Sequence, residues 1–485
     1  MATAYETVIG LECHVELSTD TKMFCGCRNA FGAAPNSNVC PVCLGLPGSL
    51  PVPNERAIES IVRIGLALGS TIAPDSLFHR KNYFYPDMPK DYQISQYDLP
   101  VCVGGRLDIE VDGERRTIGI TRVHMEEDTG KTSHVGAGGR IGQADYALVD
   151  YNRAGVPLVE CVSEPDLRSA EEARAYFTEL RATLEALGVS DVRMEEGSLR
   201  CDANISTRRA GESELGTKVE IKNLNSVRSL ERALRYEEER QRGALERGEP
   251  LVQETRHFDE ETGATHTLRS KEEAFDYRYF PEPDLTPLAP DRAWVERLRS
   301  TLPELPAALR SLYVGQMGLT GEQARLLASS PATAWFFDQV VSLGADPPAT
   351  ANWITQDLAG LLNAAKLEIA DSKVAPQHIA DLVALVADGT ISATGAKQVL
   401  EEAFETGDAA DAIVERRGLR QVVDAAALGT WVDEAIAENP GPVQQFRGGK
   451  DNALNAVLGQ VMKKSGGSAD PKAVRELLLQ RLSGS

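Results

Sequence analysis

The chain has 485 residues, and its 51 Lys and Arg against 72 Asp and Glu give it a net charge of −21. Apolar residues make up 42% of the chain, which is too many for a disordered protein and enough for roughly three domains of about 150 residues. No run of about 18 apolar residues occurs, and the start MATAYETVIGLE lacks the basic and apolar segments of a secretory signal. We therefore expect a cytoplasmic protein without a membrane span, whose acidity argues against non-specific nucleic-acid binding but allows a local basic patch.

The first predicted element is a strand over residues 10–17 with one apolar and one polar face. Period-two alternation places Leu, Cys and Val side chains on one side and Glu12, His14 and Glu16 on the other. A sheet face exposed to solvent explains the same pattern. On its own, therefore, this strand leaves a functional and a purely structural interpretation open.

The eight cysteines fall into two groups. One group is closely spaced and comprises Cys25, Cys27, Cys40 and Cys43. Paired thiols about a dozen residues apart in a reducing cytosol are typical of a structural zinc site, with reduced, metal-free thiols as the alternative. The other group is scattered, and we expect its members to be small residues of the hydrophobic core: Cys13, Cys102, Cys161 and Cys201.

Residues 79–97 combine cations with aromatic rings. Aromatic residues are only 6% of the chain, yet five of them lie in this stretch. Cations suit phosphates and rings suit stacked bases, so the segment is a candidate nucleotide-binding or RNA-end-binding surface, with an aromatic core strand as the alternative. The candidate nucleotide contacts are Lys81, Asn82, Tyr83 and Tyr85.

Two further predicted strands carry ionisable side chains. In ITRVHMEED, Arg122, His124, Glu126 and Asp128 share one face, and Glu160 lies within VPLVECV, a run that is apolar on both faces. A buried carboxylate costs several kcal/mol unless it is protonated, paired or bound to a metal. Carboxylate oxygens with one imidazole suit Mg²⁺ or Mn²⁺, so the sequence predicts a catalytic metal site. The spacing alone does not establish that the three strands bring these ligands together. The predicted ligands of this site are Glu12, His14, Glu126 and Glu160.

Helix signals and two more polar strand faces follow. Ser169 with Glu172 is a capping-box pattern that predicts a helix ending at Gly188, and a second helix is predicted from Asn225 or Ser226. Alternating segments near residues 200–206 and 218–222 supply polar faces that suit the same nucleotide-binding cavity as residues 79–97. A sheet face exposed to solvent is the default interpretation of each segment. The candidate nucleotide contacts here are Arg200, Asp202, Asn204 and Lys222.

The chain changes character near residue 290. After a proline-rich stretch, strand signals nearly vanish and the sequence becomes rich in Ala and Leu at helical spacing, as in the predicted helix from Pro376 to Gly389. We therefore predict an α+β protein, with a sheet-rich domain of about 290 residues followed by helical modules.

Seven segments in this order resemble the B subunits of bacterial and organellar tRNA-dependent amidotransferases, and the resemblance covers essentially the whole chain. Long stretches of this kind are far more specific than any short motif. They read ETVIGLECHVEL, RKNYFYPDMPKDYQISQYD, ITRVHMEED, VPLVECVSEPD, RMEEGSLRCDANIS, KVEIKNLNS and DYRYFPEPDL.

The resemblance implies a function and partners. The enzymes of this family are ligases of protein biosynthesis, which convert Asp or Glu misattached to the tRNA for Asn or Gln into the amide. The B subunit uses ATP to form an acyl phosphate on the side chain, and ammonia released from glutamine by the A subunit displaces the phosphate. The resemblance also implies a C subunit, and it places Mg²⁺ at Glu12, His14, Glu126 and Glu160.

The resemblance further implies that the sheet-rich domain, placed here at 1–292, is a cradle. A helical domain at 293–408 and a small helical tail domain at 409–485 that grips the tRNA body follow it. The candidate tRNA contacts in the tail are Arg447, Lys450, Lys463 and Lys464. It also implies structural zinc in those members that carry all four closely spaced cysteines. Two other classes stay open: a stand-alone metal-dependent ligase or hydrolase, and a non-catalytic tRNA-binding protein. The sequence does not decide between Asp-tRNA and Glu-tRNA as substrate.

Overall fold

The structure is a computed structural model of the full chain, and it describes residues 5–136, 144–270, 277–421, 425–465 and 469–483. Contacts between Cα atoms divide the chain into two compact units, Met1–Pro306 and Ala307–Ser485. The first unit is rich in strands and the second is helical, so the predicted α+β class is confirmed.

The first unit contains fifteen named strands and four α-helices among its described residues. The strands are β1 (Tyr5–Glu16), β2 (Thr71–Ile72), β3 (His79–Asn82), β4 (Tyr92–Ser95), β5 (Cys102–Val103), β6 (Arg106–Val111), β7 (Glu114–Glu127), β8 (Lys131–Gly136), β9 (Ala144–Asp150), β10 (Pro157–Ser163), β11 (Leu199–Arg209), β12 (Val219–Leu224), β13 (Glu254–Asp259), β14 (Ala264–Ser270) and β15 (Phe280–Pro281). The helices are α1 (Glu55–Ala67), α2 (Ala170–Ala186), α3 (Val227–Glu246) and α4 (Arg292–Ser300).

Most strands form one sheet with the order β14-β13-β12-β11-β1-β10-β7-β4-β3-β15, and β8 pairs with β9 separately. The apolar side chains of β1 alternate with its polar ones, and Leu11, Cys13 and Val15 are completely buried. They share one hydrophobic core with residues of α1 and α2, such as Ile61 and Leu180. The opposite side chains of the same strands are therefore free to build a polar face. The four scattered cysteines are buried, as predicted.

The helix boundaries follow local signals. Ser169 Oγ accepts a hydrogen bond from the Glu172 amide at the start of α2, as predicted, and Ser226 Oγ accepts one from the Ser229 amide at the start of α3. The predicted capping box is only half present, because the Glu172 carboxylate accepts its hydrogen bond from the amide of Arg168 rather than from Ser169.

The described helices of the second unit surround two hydrophobic clusters, one from Tyr313 to Val414 and one from Leu428 to Leu482. The predicted helix after Pro376 is present and ends before Gly389. The helices from residue 306 onward are α5 (Pro306–Met317), α6 (Gly321–Leu327), α7 (Pro331–Ser342), α8 (Pro347–Asn352), α9 (Ala359–Ala365), α10 (Pro376–Ala387), α11 (Ala393–Thr406), α12 (Ala410–Arg417), α13 (Ala425–Glu438), α14 (Pro440–Arg447), α15 (Ala453–Lys464) and α16 (Pro471–Ser483), with a π-helical turn at Trp353–Leu358 and a 3₁₀ turn at Ile369–Asp371. The division into domains 1–292, 293–408 and 409–485 stays a prediction.

The packing of α2 on the sheet gives a stability prediction. Leu180 is completely buried in the core, so Leu180→Ala removes packed methyl groups and should lower the free energy of unfolding by about 2–5 kcal/mol. The control Arg181→Ala changes an exposed residue of the same helix and should stay within about 0.5 kcal/mol. Denaturant unfolding followed by circular dichroism measures both, and equal midpoints would contradict the packing of α2.

Candidate active site

Strand register brings the polar residues of distant segments together. In the pairing of β10 with its neighbours, Glu160 lies opposite His14 on β1 and opposite His124 on β7. On the other side of β1, Glu12 lies opposite Asp202 of β11. Directly opposed residues of antiparallel strands point to the same side of the sheet. These residues therefore share one polar face that crosses four strands.

A compact buried cluster lies at the centre of this face. Potential ligand atoms of His124, Glu126 and Glu160 all lie within 4.8 Å of one another. The His124 Nε2 atom is 3.4 Å from Glu126 Oε1 and 3.6 Å from Glu160 Oε2. His14 adjoins the cluster, with its Nε2 3.5 Å from Glu160 Oε2. His124 has no exposed surface and Glu126 is only 4% exposed, so the cluster is shielded from bulk water.

Glu126 is held by donors from the segment around β4. Ser95 Oγ donates a hydrogen bond to Glu126 Oε1 over 2.8 Å, and Gln93 Nε2 donates to Oε2 over 3.0 Å. The Lys81 ammonium lies 4.0 Å from Glu126 Oε1. These contacts fix the carboxylate and supply a positive charge beside it.

The cluster keeps its carboxylates ionised. Burial opposes the charged form of Glu126, but the charge of Lys81 and the hydrogen bond with His124 outweigh it and hold the pKa of Glu126 well below its usual value. Burial likewise opposes ionisation of Glu160, and its contacts with His14 and His124 lower its pKa overall. Burial alone lowers the pKa of Lys81, but the charges of Glu126 and Glu160 raise it above its usual value.

The cluster overlaps only partly with the four predicted metal ligands. Glu126 and Glu160 are members, and His14 contacts Glu160. Glu12 lies on the same face, but its Oε1 accepts a hydrogen bond from Asn204 Nδ2 over 2.8 Å, and it is not part of the compact set. His124 is a member that the prediction left out, although the alternation in ITRVHMEED had already placed it on the polar face.

The predicted nucleotide contacts of the aromatic segment have different surroundings. Lys81 faces the cluster, whereas Asn82 Nδ2 donates to the carbonyls of Tyr277 and Arg278 at 3.3 and 2.9 Å and so anchors the segment before β15. Tyr83 packs edge-on against Tyr277, with ring centres 6.3 Å apart. Tyr85 is half exposed. Of the four, Lys81 is thus the one that reaches the carboxylates.

The predicted contacts on β11 and β12 are paired with acids. Lys222 Nζ lies 2.5 Å from Asp202 Oδ2 and 3.0 Å from Glu220 Oε1. Arg200 Nη2 lies 2.6 Å from Asp128 Oδ2. These ion pairs give the β11–β12 side of the face fixed positive groups whose charge is already balanced.

A carboxyl pair that the prediction did not single out lies next to Arg200. Burial and the nearby Asp128 raise the pKa of Glu16 to about 9, so Glu16 holds a proton at neutral pH. Burial opposes the charge of Asp128, but Arg200 and Arg153 outweigh it and lower its pKa. Glu16 and Arg153 also line a cavity of about 580 Å³. The pair therefore offers one neutral acid and one anion at the edge of the polar face.

Comparison with known proteins places this arrangement in a family. Residues 7–296 match the model of the GatB/GatE catalytic domain, and residues 335–482 match that of the GatB domain. The chain belongs to the GatB family. It is 55% identical to the B subunit of the aspartyl/glutamyl-tRNA(Asn/Gln) amidotransferase of Moorella thermoacetica over 99% of this chain and 100% of that protein. The proteins of the same name from Carboxydothermus hydrogenoformans and Frankia casuarinae are 51% and 54% identical over 99% of this chain and 99% and 96% of theirs.

Four cysteines of this GatB-family chain converge as well. The sulfur atoms of Cys25, Cys27, Cys40 and Cys43 lie within 4.8 Å of one another, and all described cysteines are free thiols. The hydrogen bond with Cys25 lowers the pKa of Cys43 to about 5, with further help from the Cys40 amide and the charge of Lys22. The cluster therefore already favours one thiolate.

The candidate tRNA contacts of the tail differ in their pairing. Arg447, Lys450 and Lys463 are exposed. Lys464 instead lies 3.0 Å from Glu434 and 2.8 Å from Glu438, on α13. Across the described part of the chain, no helix combines the length and hydropathy needed to cross a lipid bilayer.

Behind the cluster, a buried ion pair joins Lys90 to Glu127, and the Ile94 amide donates to the same carboxylate over 2.9 Å. Removing one partner of a buried pair leaves the other charge uncompensated. Lys90→Met should therefore lower the free energy of unfolding by about 3–5 kcal/mol. Denaturant unfolding measures this change.

Two variants control this prediction. The double variant Lys90→Met/Glu127→Leu removes both charges and should recover most of the stability lost. Arg56→Met breaks an exposed pair with Glu59 and should cost no more than about 1 kcal/mol. A Lys90→Met variant as stable as Arg56→Met would show that the pair is not buried.

Proposed function

We propose that this chain activates the side-chain carboxylate of misacylated Asp-tRNA(Asn), Glu-tRNA(Gln) or both with ATP, and then amidates it with ammonia. The ammonia would come from glutamine through a partner A subunit, in a cytoplasmic complex with A and C subunits. Membership of the GatB family and the names of the relatives support this proposal. The buried cluster of His124, Glu126 and Glu160 is the observation that carries the chemistry.

The donor set of the cluster fits Mg²⁺. It offers carboxylate oxygens with one or two imidazoles, and hard divalent cations prefer oxygen ligands. The low pKa values of Glu126 and Glu160 leave both carboxylates charged for binding. When bound, Mg²⁺ would offset the repulsion between the two anions that must meet, a carboxylate and a triphosphate.

The side chains around the cluster have matching roles in this proposal. An oxygen of the substrate carboxylate attacks the γ-phosphorus of ATP, and ADP leaves, so the chain needs no nucleophile of its own. The charged Lys81 attracts the phosphate next to Glu126. Ammonia then attacks the carbonyl carbon of the acyl phosphate, and inorganic phosphate leaves. Other nucleotide contacts are proposed for Asn82, Tyr83, Tyr85, Arg200, Asp202, Asn204 and Lys222.

For the tail we propose that Arg447, Lys450 and Lys463 contact phosphates of the tRNA body, because these cations are exposed. Lys464 lies next to two carboxylates, which compete with a phosphate for its charge. Its contribution to tRNA binding should therefore be smaller than that of the other three.

Glu126→Gln tests the activation step. Because the variant loses one charged oxygen of the cluster, ATP-dependent phosphorylation of the aminoacyl-tRNA should fall at least about a hundredfold. Binding of the tRNA should not change. The measurement uses the complex with its A and C subunits, and it follows ADP release and amide formation on Asp-tRNA and Glu-tRNA separately.

Glu114→Gln is the matched control, since Glu114 is an exposed carboxylate at the start of the same strand. It should leave both reactions unchanged. If Glu126→Gln is as active as Glu114→Gln, the cluster has no part in the chemistry. If tRNA binds but neither the Glu126→Gln nor the Glu114→Gln variant releases ADP in the assembled complex, the chain is a non-catalytic component.

We also propose that the four clustered cysteines hold structural Zn²⁺, since four thiols within bonding range of one point match its tetrahedral preference. Purified protein should then contain about one zinc per chain by mass spectrometry. Cys40→Ser/Cys43→Ser should lose the metal and lower the melting temperature. Cys102→Ala, which changes a buried cysteine elsewhere, should keep the metal, and a metal-free parent protein would refute the assignment.

A further inference from the structure

Arg122 is a partly buried arginine of the polar face that has no acidic partner among the described residues. Seven other arginines of the first unit are paired with carboxylates: Arg80 with Glu282, Arg200 and Arg153 with Asp128, Arg208 with Glu6, Arg240 and Arg256 with Glu237, and Arg116 with Glu172. On a chain with a net charge of −21, a guanidinium left unpaired at such a place requires an explanation.

The guanidinium of Arg122 is held in place by aromatic rings. Its Cζ lies 4.5 Å from the centre of the Tyr97 ring. Tyr97 in turn stacks on Tyr279, with ring centres 5.4 Å apart and planes 18° from parallel. Such stacking restricts the side chain without consuming its hydrogen-bond donors. The cation is therefore oriented before any ligand arrives.

The same rings connect Arg122 to the carboxylate cluster. The Tyr97 ring meets the His124 ring edge-on, with centres 6.2 Å apart, and the Tyr97 amide donates to Ser95 Oγ, which donates to Glu126. Arg122 and His124 are two residues apart on β7 and so point to the same side of the sheet, about 7 Å apart along the strand. An anion bound by Arg122 would thus lie next to the cluster.

The donors of Arg122 are incompletely satisfied. Its Nε atom is buried and has no hydrogen-bond partner among the described residues. A buried donor without an acceptor costs free energy, which an incoming acceptor recovers. The guanidinium fork matches two oxygens of a phosphate, and such charge-assisted pairs are about twice as strong as neutral hydrogen bonds.

We propose that Arg122 binds a phosphate group of a nucleotide at the cluster, and that Tyr97 and Tyr279 are positioning residues for its guanidinium. This inference rests on the proposed function, since it assumes that a phosphate is brought to His124, Glu126 and Glu160. The phosphate belongs either to ATP or to the 3′-terminal nucleotide of the aminoacyl-tRNA.

The test uses Arg122→Gln and Arg122→Lys in the complex with the A and C subunits, with ATP and aminoacyl-tRNA varied separately. Arg122→Gln should lower kcat/KM for one of them by about tenfold to a hundredfold, the usual effect of a lost charged hydrogen bond. Arg122→Lys keeps the charge but not the fork, so it should lose less than Arg122→Gln. A larger KM for ATP alone identifies ATP as the source of the phosphate, and a larger KM for the tRNA alone identifies its 3′ end.

Arg116→Gln is the matched control, because it removes a paired and more exposed arginine from the same strand. It should leave both KM values within twofold. Tyr97→Leu should show part of the loss of kcat/KM seen in Arg122→Gln. Tyr97→Phe keeps the ring and should therefore keep the parent kcat/KM.

The proposal is overturned if Arg122→Gln and Arg122→Lys both match Arg116→Gln while Glu126→Gln is inactive. In that case the proposed function stands and only the role of Arg122 fails. If Glu126→Gln is also fully active, the proposed function itself has failed. If Arg122→Gln is insoluble, Arg122→Lys is measured in its place. Unchanged KM values for Arg122→Lys would then refute the proposal.

Discussion

The pairing of β10 between β1 and β7 is the constraint on which the site depends. Glu160 meets His14 on one side and His124 on the other only in the observed register. A shift by one residue would turn Glu160 towards the helices and place Val159 or Cys161 on the polar face. Both of those residues are completely buried in the core, so such a shift would expose apolar surface. The hydrophobic core therefore fixes the register, and the register assembles the cluster.

The cluster keeps ionised side chains in a buried region, where the low dielectric raises the free energy of a charge. Glu126 and Glu160 stay ionised because Lys81 and the two histidines outweigh the cost of burial. Ser95 and Gln93 donate to Glu126 and fix the direction of its oxygens. Two oriented, ionised carboxylates at short range attract a divalent cation, and they repel each other until that cation is present. Structure and proposed chemistry thus depend on the same charges.

The sequence predicted those features that depend on neighbouring residues. Alternation gave the two faces of β1 and β7, and serine caps gave the starts of α2 and α3. It could not predict which side chains of different elements meet in the folded chain. The nearness of Tyr279 to Tyr97 and the pairing of Lys464 with Glu434 and Glu438 are tertiary facts of this kind. Glu12 and His124 show the same limit. Alternation placed both on the polar face, but it could not predict that His124 lies beside Glu160 and that Glu12 is outside the compact cluster.

The distribution of paired and unpaired cations bears on how the nucleotide of the proposed function would lie on the face. Lys222 and Arg200 are positive groups on the β11 and β12 side, and carboxylates already balance both. A phosphate gains little from a cation whose charge is neutralised at 2.5 or 2.6 Å, because the acid must first be displaced or repels the incoming anion. On the other side of the face, Arg122 of β7 has no acidic partner among the described residues, and Lys81 of β3 lies 4.0 Å from Glu126. In the proposed function the phosphates should therefore lie near β7 and β3, and the paired groups of β11 and β12 would hydrogen-bond the neutral parts of the nucleotide.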